Sequence, residues 1–489
     1  MPKSILTYIL TLGIFTGLQA AMPGRYESSH AETLAERHDW FEENPVLDTI
    51  KRISYVSTPE NKVTMAFFEV DVTPPLGSPL AFGTARVIRD SLSARGIVLI
   101  FDEKPVVLIA IDWIGIANEG MDEFRKSVAK AVGTSENRVA IHALHQHNSV
   151  RCDLMTPRIL EEYGRSELYY DTVFLYDSID RVASAAHNSL KNLQPVTDIS
   201  FGQARVSRVA SNRRIIGSHG TVENMRWSWT NDFKLRHENE GLIDPFLKMV
   251  TFYNGKKPLV SLTYYAVHPV LNFGDGDVSA EFVGVARKYQ ELKRGYPQIY
   301  FTGAAGDVGV GKYNNGSDQM RYIFGARISM AMDEALEGAV RKPIDQNNIK
   351  WKTADVYLPL ADYMNRDSLE QIITGQKYDP GFPYLRAIAA MAWWERVHKN
   401  PYVRISALHL GDVRLLSLPG EPFVEYQLIA QRLFPGFYVC TAAYEEYGMG
   451  YIGTREGYMQ GGYETSKMAT TVGPGVEDAL IEGIKRVLE

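Results

Sequence analysis

Cysteine is scarce in this chain, whose 489 residues include only Cys152 and Cys440. Two thiols exclude a cysteine-rich zinc site, because such sites use three or four thiolates. A disulfide between them would need Cα atoms within about 7 Å of each other, and the sequence does not establish that separation. In an exported protein the two could pair, and two separate buried thiols are the alternative.

Positive charge is also in short supply. The formal net charge is -6, and charged residues make up 22% of the chain. Nucleic-acid binding depends on a dense surface of lysine and arginine, so this balance argues against it. Hydrophobic residues make up 45%, a share typical of globular proteins. The sequence shows no internal repeat, low-complexity segment or interdomain linker, which favours one large domain.

Apolar runs long enough to cross a membrane are missing. The run in "MPKSILTYILTLGIFTGLQAA" at the N-terminus is shorter than the ~20 residues that a spanning helix needs. Lys3 precedes this run and Ala20 and Ala21 follow it, which is the layout of a secretory signal peptide. We predict a signal peptide at residues 1–21, with a membrane anchor as the alternative, and hence a secreted or periplasmic protein. Residues 22–64 are predicted to form a charged helical lead-in.

Several catalytic motifs are absent as well. The sequence contains neither the GxSxG elbow of serine hydrolases nor the HExxH motif of zincin proteases. The small-residue stretch "FTGAAGDVGVG" matches neither GxxxxGK[ST] nor GxGxxG. These absences argue against a serine hydrolase, a zincin protease and a nucleotide-binding loop.

The chain does contain an alternation of strand and helix patterns. The segments "ARGIVLIFD" and "PVVLIAIDWIGI" are nearly all apolar, as in strands buried on both faces. A helix is predicted over 118–133, ending at Gly133, and a strand over 138–144. Further helices are predicted at 168–192, 281–294, 319–337, 421–433 and 475–489, and further strands at 259–268, 298–303, 405–411 and 413–420. The pattern predicts the α/β class, with mixed β-sheets flanked by helices.

The segment "IHALHQHNSV", residues 141–150, brings three histidines close together. Residues two apart on a strand share a face, so His145 and His147 are predicted to point one way and His142 the other. One imidazole of the pair could bind a metal while the other transfers protons. His142 is predicted to be a packed core residue.

Polar residues also follow two other predicted strands. His268 ends "LTYYAVH" just before a proline, and Glu421 follows Pro-Gly in "RLLSLPGE". Either residue could be a metal ligand. The alternatives are a structural histidine and a carboxylate that stabilises a helix N-terminus. Asp307, in the small-residue stretch, is predicted to have a structural role.

A series of short blocks runs in order through residues 65–489: "VDVTPPLGSPL", "RDSLSARGIVL", "PVVLIAID", "ALHQHNS", "SNRR", "YYAVHP", "VSAEFVGVAR", "GAAGD", "LPGE" and "TREGYMQGGYE". In this order they resemble the neutral (non-lysosomal) ceramidases and their bacterial relatives. "ALHQHNS", for example, is similar to that family's Thr-His-Thr-His-Ser. The resemblance implies a single ceramidase-like catalytic domain over residues 65–489.

The resemblance also implies a zinc-dependent amidase whose site residues fall on matching motif positions. The implied Zn²⁺ ligands are His145, His268, Glu421 and Tyr458. The implied catalytic residues that do not bind the metal are His147 and Arg213, with Arg214 as the alternative to Arg213.

Two nitrogen and two oxygen ligands suit Zn²⁺ and leave a position for water. The implied reaction is attack of metal-activated water on an amide carbonyl. His147 would carry a proton to the leaving amine, and Arg213 would stabilise the developing oxyanion.

The chain departs from the family pattern in the parts that shape the substrate site. The family's Ser-Gly-Pro after the second histidine is "NSVRCD" here. Thr470 stands where the family has a further catalytic tyrosine, for which Tyr463 or Tyr451 could compensate. Two aromatic-rich insertions, 214–240 and 362–398, are predicted to form the rim of the pocket.

These features predict an exported zinc hydrolase that cleaves the amide (N-acyl) bond of a small molecule, either an N-acyl lipid or a sugar-like compound. Neither nucleic acid nor a membrane span after signal removal is expected. One alternative is a zinc-dependent hydrolase of a glycan, glycoside or ester. The other is a non-catalytic relative that only binds its ligand.

Overall fold

Three mixed β-sheets, covered by helices, organise the part of the chain that the structure describes. This computed structural model describes residues 63–164, 170–379 and 383–489. The predicted α/β class with mixed sheets is confirmed, with eleven α-helices in these ranges. The predicted signal peptide, 1–21, and nearly all of the predicted lead-in, 22–64, lie outside the described residues. From residue 63 onward, the described residues belong to one compact unit.

The strands are β1 (Thr64–Asp71), β2 (Val87–Ile88), β3 (Ser93–Ile100), β4 (Val106–Ile111), β5 (Gly115–Ala117), β6 (Val139–Ala143), β7 (Arg151–Asp153), β8 (Gln194–Pro195), β9 (Asp198–Arg205), β10 (Ser211–Asn212), β11 (Arg214–Ile216), β12 (Val222–Met225), β13 (Phe246–Asn254), β14 (Lys257–Tyr265), β15 (Asp277–Val278), β16 (Gln298–Thr302), β17 (Val308–Gly309), β18 (Val340–Pro343), β19 (Ile349–Tyr357), β20 (Tyr402–Leu410), β21 (Val413–Ser417), β22 (Glu421–Pro422), β23 (Tyr438–Ala442) and β24 (Tyr451–Ile452).

The helices are α1 (Glu119–Val132), α2 (Met155–Glu162), α3 (Thr172–Ser189), α4 (Phe233–His237), α5 (Glu281–Arg294), α6 (Gln319–Glu337), α7 (Arg366–Ile373), α8 (Tyr384–Lys399), α9 (Val424–Leu433), α10 (Arg455–Gln460) and α11 (Val476–Leu488).

The three large sheets share one topology. Their strand orders are β6-β4-β3-β1-β8 in sheet I, β16-β14-β13-β9-β18 in sheet II and β23-β21-β20-β19 in sheet III. Each contains an antiparallel meander whose last strand leads through a helix to a parallel strand. These crossover units are β4-α1-β6, β14-α5-β16 and β21-α9-β23. A second helix then packs back on each sheet: α3, α6 and α11 respectively. The fold therefore repeats one unit three times, although the sequence shows no repeat.

The edges of the three sheets meet along β6, β16 and β23, the last strand of each repeated unit. The Ala443 amide donates to the Thr302 carbonyl (2.9 Å), and the Thr302 hydroxyl donates to the Leu144 carbonyl (2.8 Å). The Ala143 amide donates to the Tyr444 carbonyl (3.3 Å). Because the carboxyl ends of parallel strands are a common place for functional loops, this meeting point brings three sets of such loops together.

His142 on β6 joins all three edges, and its predicted core position is confirmed. Its Nε2 accepts a hydrogen bond from the Thr302 amide (2.9 Å), while Nδ1 contacts the Ala443 carbonyl. A ring that accepts at one nitrogen and donates at the other must be neutral. The buried imidazole therefore acts as a pH-sensitive link between the sheets.

Acidification is expected to destabilise the protein through His142. Burial lowers the pKa of His142 to about 3, whereas an unfolded histidine has a pKa of about 6.5. Between these values the unfolded state binds a proton that the folded state does not. The free energy of unfolding should therefore fall on acidification, by up to about 1.4 kcal/mol per pH unit. Urea unfolding should show a weaker pH dependence for His142→Gln than for the wild type, and equal slopes would contradict this role.

Several predicted boundaries are confirmed, while others shift for local reasons. The helix predicted over 118–133 is α1, and Gly133 follows it in the left-handed region with φ 73°. The helix predicted over 421–433 begins only at Val424, because Glu421 pairs with Tyr451 in a short parallel bridge. The strand predicted over 138–144 ends at Ala143. Glu421 therefore lies in β22, before α9 begins.

The two cysteines are separate buried thiols. Cys152 lies on β7 and Cys440 on β23, and neither forms a disulfide. Burial raises the pKa of both thiols, so neither is poised as a nucleophile. Within the described ranges, the helices are too short or too polar for any of them to cross a bilayer.

Candidate metal centre

His145 follows β6 in a strained backbone conformation. Its φ is +74°, a region that residues other than glycine rarely adopt. The ring stacks on Tyr444, with centres 4.4 Å apart and planes 18° apart. Nδ1 lies 2.6 Å from the Ile114 carbonyl. Nδ1 therefore carries the hydrogen, and the lone pair of Nε2 points away from the strand end.

His268 follows β14 and is held in the same manner. Its Nδ1 lies 2.7 Å from the Ala305 carbonyl, and its amide donates to the Val308 carbonyl (2.9 Å). The side chain is fully buried. Burial lowers the pKa of His268 to about 4. This imidazole is therefore neutral, with Nε2 free to bind a cation.

Glu421 follows β21, and its backbone is fixed on two sides. Its amide donates to the Gly450 carbonyl (2.9 Å). Asp307 accepts hydrogen bonds from the Val424 amide (2.9 Å) and from Asn212 (2.6 Å), which ties the start of α9 to the small-residue loop. The structural role predicted for Asp307 is thus supported by these contacts.

Three lone-pair atoms from the three repeated units meet at one point. His145 Nε2 lies 3.0 Å from His268 Nε2 and 3.1 Å from Glu421 Oε2, and His268 Nε2 lies 3.3 Å from the same oxygen. Two ligands of a tetrahedral zinc ion with bonds of about 2.0–2.1 Å lie ~3.3 Å apart. The spacing therefore fits three ligands around one ion.

The hydrogen-bond pattern also favours a cation there. Both rings use Nδ1–H on backbone carbonyls, which in the neutral form leaves Nε2 without a hydrogen, and Glu421 Oε2 has no hydrogen-bond partner among the described residues. Three acceptor atoms facing one another repel unless a positive charge lies between them. Burial would raise the pKa of Glu421, but His145 and His268 hold it well below its usual value. An ionised carboxylate and neutral imidazoles are the states that bind metals.

His147 lies beside these three residues. Its ring centre is 5.0 Å from that of His145, at 90°, and 5.6 Å from that of His268. The ligand atoms of the three histidines all lie within 4.8 Å of one another, so the histidines could also hold an ion as a group. Both ring nitrogens of His147 are buried and have no hydrogen-bond partner in the part of the chain that the structure describes. Burial, then the neighbouring imidazoles, lower the pKa of His147 well below its usual value.

The predicted strand geometry of the His-x-His pair is wrong. Because β6 ends at Ala143, both histidines lie in the loop that follows, and no shared strand face orients them. They come together because His145 turns through a positive φ and because His147 packs against Phe82 and Phe273, with centres 5.3 Å from each. That His145 and His147 lie close together was therefore predicted, but it was attributed to a strand rather than to a loop.

Of the two candidate arginines, Arg213 is the one that faces the centre. Its positive charge acts on His147, His268 and Glu421. Arg213 Nε donates to Glu464 (2.9 Å), and the guanidinium lies over Tyr451, 5.1 Å from the ring centre.

Glu464 is a functional residue that the sequence reasoning missed. It is fully buried and uses both oxygens, one for Arg213 and one for Arg214, each at 2.9 Å. Arg214 also donates to the backbone carbonyl of residue 461 (2.8 Å). Removing one partner of a buried ion pair is costly, so Glu464 positions the whole arginine pair. Its place in "GGYE" was the available signal.

The Tyr458 hydroxyl forms its hydrogen bonds with groups other than the predicted ligands. Its hydroxyl donates to the Val472 carbonyl (2.5 Å) and lies 3.4 Å from Thr470 Oγ1. The phenol that reaches the centre is Tyr447, whose hydroxyl is hydrogen-bonded to Glu421. The Tyr447 ring packs directly on Gly115, where an added Cβ would lie 2.4 Å from it. This second tyrosine was not predicted.

A buried ion pair fixes the loop between the two site histidines. Asp112, directly after β4, accepts hydrogen bonds from Arg287 (2.6 and 3.0 Å) and from Gln146, which separates the histidines (2.8 Å). The other oxygen also accepts from Ser93. Burial would raise the pKa of Asp112, and Arg287 holds it below its usual value. The network holds the histidine loop from behind.

A side chain at Gly306 is expected to displace Glu421. A Cβ there would lie 2.3 Å from the Glu421 carbonyl oxygen. Gly306→Ala should therefore destabilise the protein by about 1–3 kcal/mol, as overpacking does, and weaken metal binding. Gly309→Ala is a control nearby, because nothing lies within 4 Å of an added Cβ. Chemical denaturation and metal titration should separate the two variants, and equal behaviour would contradict the close approach.

The three-sheet fold is that of the neutral ceramidases. One solved structure with this fold is neutral ceramidase from Pseudomonas aeruginosa, with a TM-score of 0.63 over 88% of this chain and 74% of that chain, at 16% identity. Another is a ceramidase complexed with C2, with a TM-score of 0.61 over 88% and 75% of the two chains, also at 16% identity. The predicted resemblance is confirmed for the fold. No protein-family model and no curated protein matches the chain.

Proposed function

We propose that this protein is a zinc-dependent hydrolase of the ceramidase type that cleaves an amide bond with water. The observation that carries the proposal is the convergence of His145 Nε2, His268 Nε2 and Glu421 Oε2 within 3.3 Å of one another. The donor set of two imidazoles and a carboxylate is one that catalytic zinc sites use. The ceramidase fold supports the amide as the bond cleaved.

His145, His268 and Glu421 would hold the zinc ion. When bound, zinc supplies Lewis acidity, which lowers the pKa of water and polarises a carbonyl. The Nδ1 contacts to Ile114 and Ala305 keep both rings oriented and raise their basicity. Tyr447 is a better candidate than Tyr458 for a tyrosine ligand, because its hydroxyl is hydrogen-bonded to Glu421 whereas that of Tyr458 donates to the Val472 carbonyl.

His147 is the residue proposed to move the proton. Its two nitrogens have no partner, so one can take a proton from water and pass it to the leaving amine. Its stacking against Phe82 holds the ring and excludes water from that side. An imidazole of lowered pKa is neutral at physiological pH, so its lone pair is available.

Arg213 is proposed to supply a fixed positive charge for the oxyanion that develops on the carbonyl. Glu464 and the Gly306 carbonyl hold the guanidinium in place (2.9 and 2.7 Å). A charge that is already oriented needs no reorganisation during the reaction. The Tyr451 ring lies beneath the guanidinium, and its hydroxyl is hydrogen-bonded to Arg213. This hydroxyl is proposed to donate a hydrogen bond to the same oxyanion.

Substrate profiling tests the proposed reaction. Purified zinc-loaded protein is expected to release fatty acid from N-acyl substrates such as C12-ceramide or N-dodecanoylglycine, and to lose this activity on chelation. Esters and glycosides of matched size should be hydrolysed more slowly. Preferential turnover of an ester or glycoside would instead favour the alternative hydrolase, and binding without turnover would favour a non-catalytic relative.

We also propose that the enzyme acts outside the cytoplasm. The N-terminal pattern of Lys3, an apolar run and Ala20-Ala21 supports export. N-terminal sequencing of protein from the periplasm or medium is expected to begin near residue 22. A cytoplasmic chain that still begins at Met1 would contradict this.

A further inference from the structure

Arg386, on α8 in the second insertion, has an unpaired guanidinium edge. Its Nε and Nη2 atoms are shielded from solvent and have no hydrogen-bond partner within the described ranges. An arginine whose donors are buried and unpaired loses solvation without compensation, which is costly. Such an edge is therefore unusual unless a ligand completes it.

The two unpaired atoms form the edge of arginine that recognises oxyanions. Nε–H and Nη2–H lie in the guanidinium plane along the same edge and point in parallel. This fork matches the two oxygens of a carboxylate, phosphate or sulfate. Arg213 and Arg214, by contrast, have their forks occupied by Glu464 and backbone carbonyls. Arg386 is thus a charged group near the site whose binding edge is still free.

The position of Arg386 connects it to the candidate metal centre. Its Nη2 lies 3.7 Å from the point where a Cβ on Gly450 would be. The next residue, Tyr451, has its ring parallel to that of His268, with centres 6.3 Å apart. Tyr451 in turn contacts Tyr463 edge to face (5.7 Å). The Tyr463 hydroxyl is within the electrostatic range of Arg386, Arg213 and Glu421 alike.

The insertion also fills the space around the missing family tyrosine. Tyr363, before α7, contacts the Thr470 carbonyl through its hydroxyl. The Thr470 hydroxyl is itself used on the Tyr451 carbonyl (2.7 Å). Neither group is free to contact a substrate. Arg386, which acts electrostatically on Tyr363, is therefore a positive charge in this part of the site.

We propose that Arg386 recognises a carboxylate, phosphate or sulfate group on the substrate, so that the preferred substrate is an anionic N-acyl compound. The inference rests on the proposed amide hydrolysis. The oxyanion would accept hydrogen bonds from the Nε–H and Nη2–H groups of Arg386 while the amide lies at the zinc ligands.

Matched substrates test this charge preference. N-dodecanoylglycine carries a carboxylate, N-dodecanoyl-phosphoethanolamine a phosphate, and N-dodecanoylethanolamine no charge. Wild-type protein should hydrolyse at least one anionic compound faster than the neutral one. The anionic compound that is hydrolysed faster identifies the oxyanion that Arg386 recognises. Faster turnover of the neutral compound than of both anionic ones would overturn the proposal.

Variants assign the preference to Arg386. Arg386→Gln should lower kcat/KM for the preferred anionic substrate by about 10- to 100-fold, the value of a charge-assisted hydrogen bond. It should leave the neutral substrate and the zinc content unchanged. Arg386→Lys, which keeps the charge but not the fork, should recover part of the loss. Arg366→Gln, an exposed arginine of the same insertion, is the control and should change nothing.

Two results would overturn the role of Arg386. One is an equal loss on charged and neutral substrates, which indicates a purely structural role. The other is no loss on either. If the wild type cleaves no amide, the proposed function fails, and calorimetric binding of N-dodecanoylglycine and N-dodecanoyl-phosphoethanolamine decides the inference. Weaker binding of either by Arg386→Gln then supports it, and unchanged binding of both overturns it.

Discussion

Replacing His145, His268 or Glu421 with alanine is expected to remove the bound zinc and abolish hydrolysis. Each residue supplies one of three atoms that lie 3.0–3.3 Å apart. Two protein ligands are too few for a catalytic zinc site, which keeps three. The zinc content of purified protein, measured by elemental analysis, should fall from a single ion per chain to a trace in all three variants.

A matched histidine variant controls for general loss of metal binding. His219 is exposed in the first insertion, and His219→Ala should keep both zinc and activity. Glu421→Gln keeps the size of the side chain and removes its charge, so it separates ligand loss from a cavity effect. Full zinc loading in any of the three alanine variants, measured with folded protein, would contradict the ligand assignment.

Replacing His147 with alanine is expected to lower kcat by about 10²- to 10⁴-fold, the usual contribution of a general acid or base. Zinc content should be unchanged, because His147 lies beside the three closest ligand atoms rather than among them. The combination of retained metal and lost turnover distinguishes a proton carrier from a ligand. Single-turnover kinetics with a zinc assay on the same sample measures both.

The alternative role of His147 is as a third nitrogen ligand, which the 4.8 Å spacing of the three histidines allows. In that case His147→Ala would lose zinc together with activity. His147→Gln, which can accept and donate hydrogen bonds but cannot shuttle a proton, should retain zinc and stay inactive. Zinc loss in both variants would reassign His147 to the ligand set.

The approximate positions of the candidate ligands could be predicted from sequence because polar residues after apolar strands are uncommon. His268 and Glu421 each follow such a strand, and the ordered blocks matched a family with a metal at these places. That the two residues meet could not be read from periodicity. It follows from three repeated units whose last strands meet edge to edge, and the sequence of the units shows no similarity.

Local geometry was the least predictable part of the site. A strand pattern does not show where the strand ends, so the positive φ of His145 and the loop position of His147 were missed. The register of the tyrosine motif pointed to Tyr458, yet the phenol on Glu421 comes from a different loop, at Tyr447. Side-chain direction in loops is set by tertiary packing, which a single sequence does not encode in a periodic form.

The buried charge pairs could not be predicted from the sequence either, because their members are far apart in the chain. Arg213 and Glu464 are separated by 251 positions, and Asp112 and Arg287 by 175. Each residue alone looks like an ordinary surface charge. Only burial shows that these pairs hold side chains of the candidate site in place, because a desolvated charge must have a partner.

Anomalous diffraction at the zinc edge from zinc-soaked crystals tests the central claim most directly. One strong peak is expected, about 2.0–2.2 Å from Nε2 of His145, from Nε2 of His268 and from a carboxylate oxygen of Glu421. A peak elsewhere in the molecule, or none while those three side chains remain in contact, would contradict it.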